Sequence, residues 1–260
     1  AGVPGVLAVA VDTEKARVSI GTDGAVDSDG KKKTTTVKST TDSITAAAKH
    51  TAVVDNLAGA LGMGSSTGIG LGVGTEIVTN ETSALVGDDA TLTAGNDVQV
   101  TALSDTTVNT LSAAGAAGGT TGVGAAGNVH VLNEDTKARI GRSTVKATDS
   151  AAVTAMDDSE VNFLTGAAAG AGTTAVGGAL GVSVVNKNVT AEIASDAAVD
   201  AQGQKDGVTA YTGDTKSKSI GEAIKGIFTN ENDKDVDYKK DKSKDSEGTT
   251  ASVQKTKLTD

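Results

Sequence analysis

The residues that could carry chemistry in this chain are few. His50 and His130 are the only imidazoles, and there is no cysteine, so nucleophilic or metal chemistry would have to come from them and from carboxylates. His130 stands between Val129 and Val131, and Ser183 takes its place in a later copy of the same motif. Alternation then predicts an exchangeable, solvent-facing position for His130. His50, beside Lys49, is expected to be equally exposed within an insertion. Asp27-Ser28-Asp29-Gly30 and Asp233-Lys234-Asp235-Val236-Asp237 space their carboxylates as a calcium loop does. The second set starts like an EF-hand and then departs from it. Tyr238 falls where the loop needs glycine, and Lys244 where it needs a bidentate glutamate. Solvated turn charges are the better reading of both; calcium is the only cofactor they leave open, and none is assigned. The run Gly68-Ile69-Gly70-Leu71-Gly72-Val73-Gly74 lacks the strand, loop and helix setting of a dinucleotide fingerprint. Asn80-Glu81-Thr82 and Asn188-Val189-Thr190 match the glycosylation acceptor pattern.

The elements that must position these residues are set by a repeat. GTTGVGAAGNVHVLN (Gly119 to Asn133) recurs as GTTAVGGALGVSVVN from Gly172 to Asn186, and Asn80 precedes Asn133 by the same interval. TKARIG ending at Gly141 likewise matches VTAEIA ending at Ala194. A first copy begins near Val6. About four copies of roughly 53 residues result, a period typical of stacked repeat architectures. Short segments such as Val129-His130-Val131, Val145-Lys146-Ala147 and Val182-Ser183-Val184 alternate apolar with polar and end at Gly, Asp, Asn or Ser, which marks half-buried strands. With six or seven such segments per copy, three-strand coils predict about two coils per copy and a rod of roughly 40 Å at the spacing of stacked strands.

Composition agrees. Aromatics are 2% of the chain, Gly numbers 33 and Pro is a single residue. A thin core of Val, Ala and Gly is therefore expected, and the fold class is all-β, a right-handed parallel β-helix. Val131, Ile140, Val145, Val153, Val182, Val184, Ile193 and Val199 are expected to point inward. On that register Val184→Asp would bury an unpaired charge. Two short helical insertions are predicted, at 43–60 and 216–229. The second is drawn from the i, i+3, i+4 spacing of Ile220, Ala223, Ile224, Ile227 and Phe228. Solenoid repeats are expected over 1–212 with an insertion at about 31–66. A helical and charged insertion follows at 213–250, then a returning strand at 251–260. Insertions escape the stacking constraint, so Ile224, Phe228, Tyr238, Lys239 and Lys240 are the candidate partner-contact residues.

The net charge of −10 disfavours nucleic acid, which needs a basic patch. No apolar run is long enough to span a membrane. The chain opens on Ala1 without a leader, which predicts a fragment or processed product. The phrase GALGVSVVNKNVTAEIASDAAVDAQG, ending at Gly203, and its variants resemble the passenger regions of large Gram-negative filamentous adhesins. The likeness is to filamentous-haemagglutinin-like and fusobacterial leukotoxin-like autotransporter adhesins, over roughly 1–212. It implies secretion through an outer-membrane β-barrel route, a β-helical rod at the bacterial cell surface or outside it, and a host-cell or bacterial receptor, protein or glycan. Self-association along the fibre is a further expectation. No catalytic, cofactor or metal residue is carried over, and the chain is read as a structural and adhesive segment, not an enzyme. The alternative is a β-helical polysaccharide lyase or hydrolase, or another glycan-binding solenoid. Those sites need clustered carboxylates and aromatics, and aromatics are nearly absent here.

Overall fold

A computed structural model describes residues 3–22, 24 and 26–205. Every regular element among them is a β-strand, and every pairing between strands is parallel. The elements are β1 (Gly5–Ile20), β2 (Thr35–Lys38), β3 (Ile44–Gly64), β4 (Thr67–Val86), β5 (Ala90–Ala94), β6 (Val98–Gly118), β7 (Thr121–Ile140), β8 (Thr144–Ala147), β9 (Ala151–Ala171), β10 (Thr174–Ile193) and β11 (Ala198–Ala201). They form three sheets, ordered β1-β4-β7-β10, β11-β8-β5-β2 and β3-β6-β9. The arrangement is all-β, with parallel sheets of stacked strands consistent with a β-helix.

Each 53-residue copy supplies one tier: a long strand, a short one and a second long one. Thr174 pairs with Thr121, and the register then runs without a slip to Ile193 on Ile140. The expected two coils per copy are thus replaced by one wide tier. Val145-Lys146-Ala147 is a separate short strand, β8, but Val129-His130-Val131 and Val182-Ser183-Val184 are portions of strands 20 residues long. The Gly-Ala runs between them are strand too. At the usual strand spacing the four tiers stand about 19 Å tall, not 40 Å.

The helix expected over 43–60 is also replaced. Ile44–Gly64 is strand β3, paired residue for residue with β6. Its Ala-rich start alternates buried and exposed residues, because an existing parallel edge offers ladder hydrogen bonds along its whole length and overrides local helix propensity. The extra residues of the first tier lie instead between β1 and β2, at 21–34, where Val26 bridges Lys32 in an antiparallel sense. The segment 216–229 and residues 213–260 lie outside the described residues.

The two long sheets face each other, and β4 and β7 each contact strands of the opposite long sheet. At the end nearest the short strands they enclose an apolar core of Ala84, Val86, Leu92, Val98, Val100, Ala138, Ile140 and Val145. At the other end, near the two-residue turns at 65–66 and 119–120, they converge. A Cβ on Gly70 would lie 2.0 Å from the Gly115 carbonyl oxygen, and one on Gly124 would lie 2.6 Å from that of Ala168. The alternating glycines of 68–74 are therefore the inward residues of β4, and only hydrogen fits there. The cross-section tapers from a packed apolar base to a backbone-on-backbone edge.

Inward and outward positions differ from expectation in mid-strand. Ile140 and Val145 are fully buried and Val153 packs against the core. Val131 has the opposite parity to Ile140 on one unbroken strand and faces outward, half-buried. Val182 and Val184 pair with Val129 and Val131 and are exposed, Val184 by 43%. Asp at 184 would therefore meet solvent. Ile193 and Val199 hold the inward register beside Ile140 and Val145, yet they are exposed on the last described tier.

Candidate functional site

The partner-contact residues expected from the sequence, Ile224, Phe228, Tyr238, Lys239 and Lys240, fall outside the described residues. Within them, the polar chemistry lies in the interior. His130 is 0% exposed, not solvent-facing. It sits on the inward face of β7, in one column with Glu76 on the tier before and Ser183 on the tier after. His50 is buried as well, on the inward face of β3, where Nε2 lies 2.6 Å from Glu14 Oε2.

These groups form two polar layers with an apolar one between them. The separating layer is Val78, Val108 and Leu132, flanked by Val54 and Val161. On its base side Asn80 Nδ2 donates to Thr106 Oγ1 at 3.0 Å, Thr136 Oγ1 donates to Asp157 Oδ2 at 2.9 Å, and Ser159 donates to Glu134. Lys187 Nζ lies 2.6 Å from Asp157 Oδ1 and 3.6 Å from Glu134 Oε2. Burial pushes the Glu134 carboxyl above its ordinary range, against the hydrogen bonds from Ser159 and Thr106 that favour its anion.

On the thin side of the separating layer lie Glu76, Asn128, His130, Ser112 and Thr110. Thr110 donates to Glu76 Oε2, while Asn56 Nδ2 donates to the Thr75 carbonyl at 2.8 Å. Glu76 Oε1, both ring nitrogens of His130, both side-chain polar atoms of Asn128 and Ser112 Oγ have no hydrogen-bond partner. Desolvation pushes Glu76 up to about 7, assisted by the carboxylates of Asp55 and Asp12. Desolvation also lowers His130, which favours neutral imidazole. Unpartnered buried polar atoms cost stability, so this layer is a soft stratum in the wedge. The Glu76 carboxyl and the neutral His130 imidazole share one column and are both closed off from solvent and from any bulky ligand.

The corners use charge structurally. Asp88 Oδ1 accepts from the Arg142 backbone N–H at 2.9 Å, and Oδ2 accepts from its Nε and Nη2 at 2.8 and 2.6 Å. Those bonds hold the Asp88 carboxyl below its ordinary range. Asp27 Oδ1 accepts from the N–H groups of Asp29 and Lys31, closing its own turn. Asn80 is buried and bonded, so the first glycosylation pattern is closed to a transferase, whereas Asn188 is exposed and donates to Asp135. Among the described residues no group of three or more His, Cys, Asp or Glu is placed to hold a metal ion.

No family profile, curated protein or solved structure matches the chain.

The signal that could have located the polar layers was parity. Counting back by twos from Ile140, which the sequence places inward, reaches Ala138, Thr136, Glu134, Leu132 and His130. The count holds only if the strand is unbroken, and the glycines within it argued for breaks.

Proposed function

We propose that this chain is a length of right-handed parallel β-helix serving as a structural and adhesive shaft in a secreted bacterial surface adhesin. The observation that carries this reading is the uninterrupted register from tier to tier. All twenty residues of β7 pair with β4 on one side and with β10 on the other. Such a stack transmits position along an axis, and each new tier repeats the last, which is what a projecting shaft requires. The buried titratable groups are enclosed within the stack instead of opening onto a cleft, which supports a shaft over the glycan lyase alternative. The receptor would be a protein or glycan on host cells or other bacteria, and the charged segment 230–248 is the first candidate to meet it. Beads coated with the chain should adhere to epithelial cells or to sister bacteria, and beads carrying a chain with 230–248 replaced by a short glycine linker should adhere less. No adhesion by either bead would overturn the adhesive reading.

A further inference from the structure

The outer face of β1-β4-β7-β10 has no charged residue across five adjacent columns. In register these are Ile69, Val123 and Val176; Gly5, Leu71, Ala125 and Gly178; Leu7, Val73, Gly127 and Leu180; Val9, Thr75, Val129 and Val182; and Val11, Ile77, Val131 and Val184. Thr75 is the only polar side chain among them. Leu180 is 70% exposed and Leu71, Val73, Ile77 and Val129 about 40%. The outer face of β3-β6-β9, by contrast, is broken by Lys49, Asp55, Asp105, Asp158 and Glu160.

We propose that this chain pairs laterally with a second copy through the outer face of β1-β4-β7-β10, the two sheets packing face to face over these columns. Area supports this occupant. Five columns two residues apart and four strands measure about 34 by 19 Å, or about 650 Å² per copy. Two copies then bury about 1,300 Å², within the size of a specific stable interface. A patch of this size exceeds what a solitary soluble protein usually exposes. Shape supports it too: Val and Leu in ladders form the inner faces of sheet sandwiches packed about 10 Å apart.

Charge completes the argument. The chain carries −10, so two copies repel unless their meeting faces are neutral. Beside the patch runs an uncharged column, Thr13, Thr79, Asn133 and Asn186, where Asn186 Nδ2 donates to Asn133 Oδ1 at 2.9 Å. Several of the charges beyond it are matched on their own molecule. Lys15 lies 2.7 Å from Glu81, and Glu192 lies 2.7 Å from Arg139 and 3.9 Å from Lys137. The lateral pair stands independently of the shaft reading and differs from growth along the axis, which would use strand edges.

The test uses the whole chain. Sedimentation equilibrium should show a monomer–dimer equilibrium. Val129→Lys, at an exposed position, should weaken it about a hundredfold or more, because each copy then brings a charge into the apolar interface. Thr154→Lys, on the outer face of β9, should leave it unchanged, and circular dichroism should show both variants folded. Since the chain has no cysteine, Val131→Cys should cross-link on mild oxidation and Thr154→Cys should not. A strictly monomeric parent, with the face covered by residues 206–260 of its own chain, would overturn the proposal. So would a dimer indifferent to Val129→Lys, or binding of the parent to phosphatidylcholine vesicles in place of self-association.

Discussion

The two ends of the tapering cross-section are held together by opposite means. At the base, Leu92, Val98, Val100, Ile140 and Val145 fill the space between sheets and are fully buried. Cohesion there comes from apolar area removed from water. At the thin edge the buried side chains are small, Ala58, Ala114, Ala116 and Ala126. Glycines 68, 70 and 72 on β4 and 122 and 124 on β7 let backbone approach backbone, and cohesion rests on ladder hydrogen bonds and close dispersion contact. The same period-two pattern thus specifies a packed core at one end and forbids one at the other. What differs is the distance between the sheets.

Breaking the thin edge should have the larger effect. In Gly70→Val the first added carbon meets the Gly115 carbonyl oxygen, which is backbone and cannot rotate away. The sheets must separate along the edge, and the variant should lose more than about 4 kcal/mol, the range of severe overpacking and strain. Urea unfolding followed by circular dichroism would show it, and a midpoint equal to the parent's would mean that the sheets are not in contact there.

At the base the expected loss is smaller. Leu92→Ala removes a fully buried side chain and should cost about 2–5 kcal/mol. The deficit should shrink if β2, β5 and β8 settle inward. A change below about 1 kcal/mol in the same urea experiment would show that the base is not the main core.

Between the two ends lies the Glu76 layer, and it sharpens the comparison through pH. Glu76 is raised to about 7 from a reference of 4.5. The folded state therefore holds this proton more tightly than the unfolded chain. Its contribution is fully present below about pH 4.5 and is lost as pH rises through about 7. His130, lowered below its 6.5 reference, contributes in the opposite sense, and its stabilisation is lost as pH falls below that value. Glu76→Gln isolates the carboxylate. Its stability relative to the parent should rise between pH 4.5 and 8, the smallest of the three effects, read as a difference in melting temperature at each pH. A pH-independent difference would place Glu76 in water.

Much of the fold could be read from the sequence because the repeat stacks like on like. The Thr-Thr pairs at 120–121 and 173–174, the final Asn133 and Asn186, and Val145 with Val199 all announce tiers, and the structure pairs them. Two features were hidden. Ala46-Ala47-Ala48 reads as helix locally, and only the neighbouring strand Val100-Thr101-Ala102 makes it extended. The sequence around His130 shows two faces but not which is inside. Val outward and His inward reverse the usual preference, and no local feature of the three residues announces the reversal. The polar layers went unseen for the same reason, since Glu76, Asn80 and Glu134 look like solvent-side residues until the strand is known to be continuous.

The wide tier also has a mechanical consequence. In the stack a tier occupies about 4.8 Å of axis, yet it stores a full repeat of 53 residues. Detached and drawn out, that repeat would span roughly 175 Å at the reach of an extended chain. A pull along the axis would peel the outermost strand ladder by ladder, while the tiers behind it stay registered. Each tier released would thus add more than thirty times its own stacked height, and the length would be recovered as each strand finds its partner again.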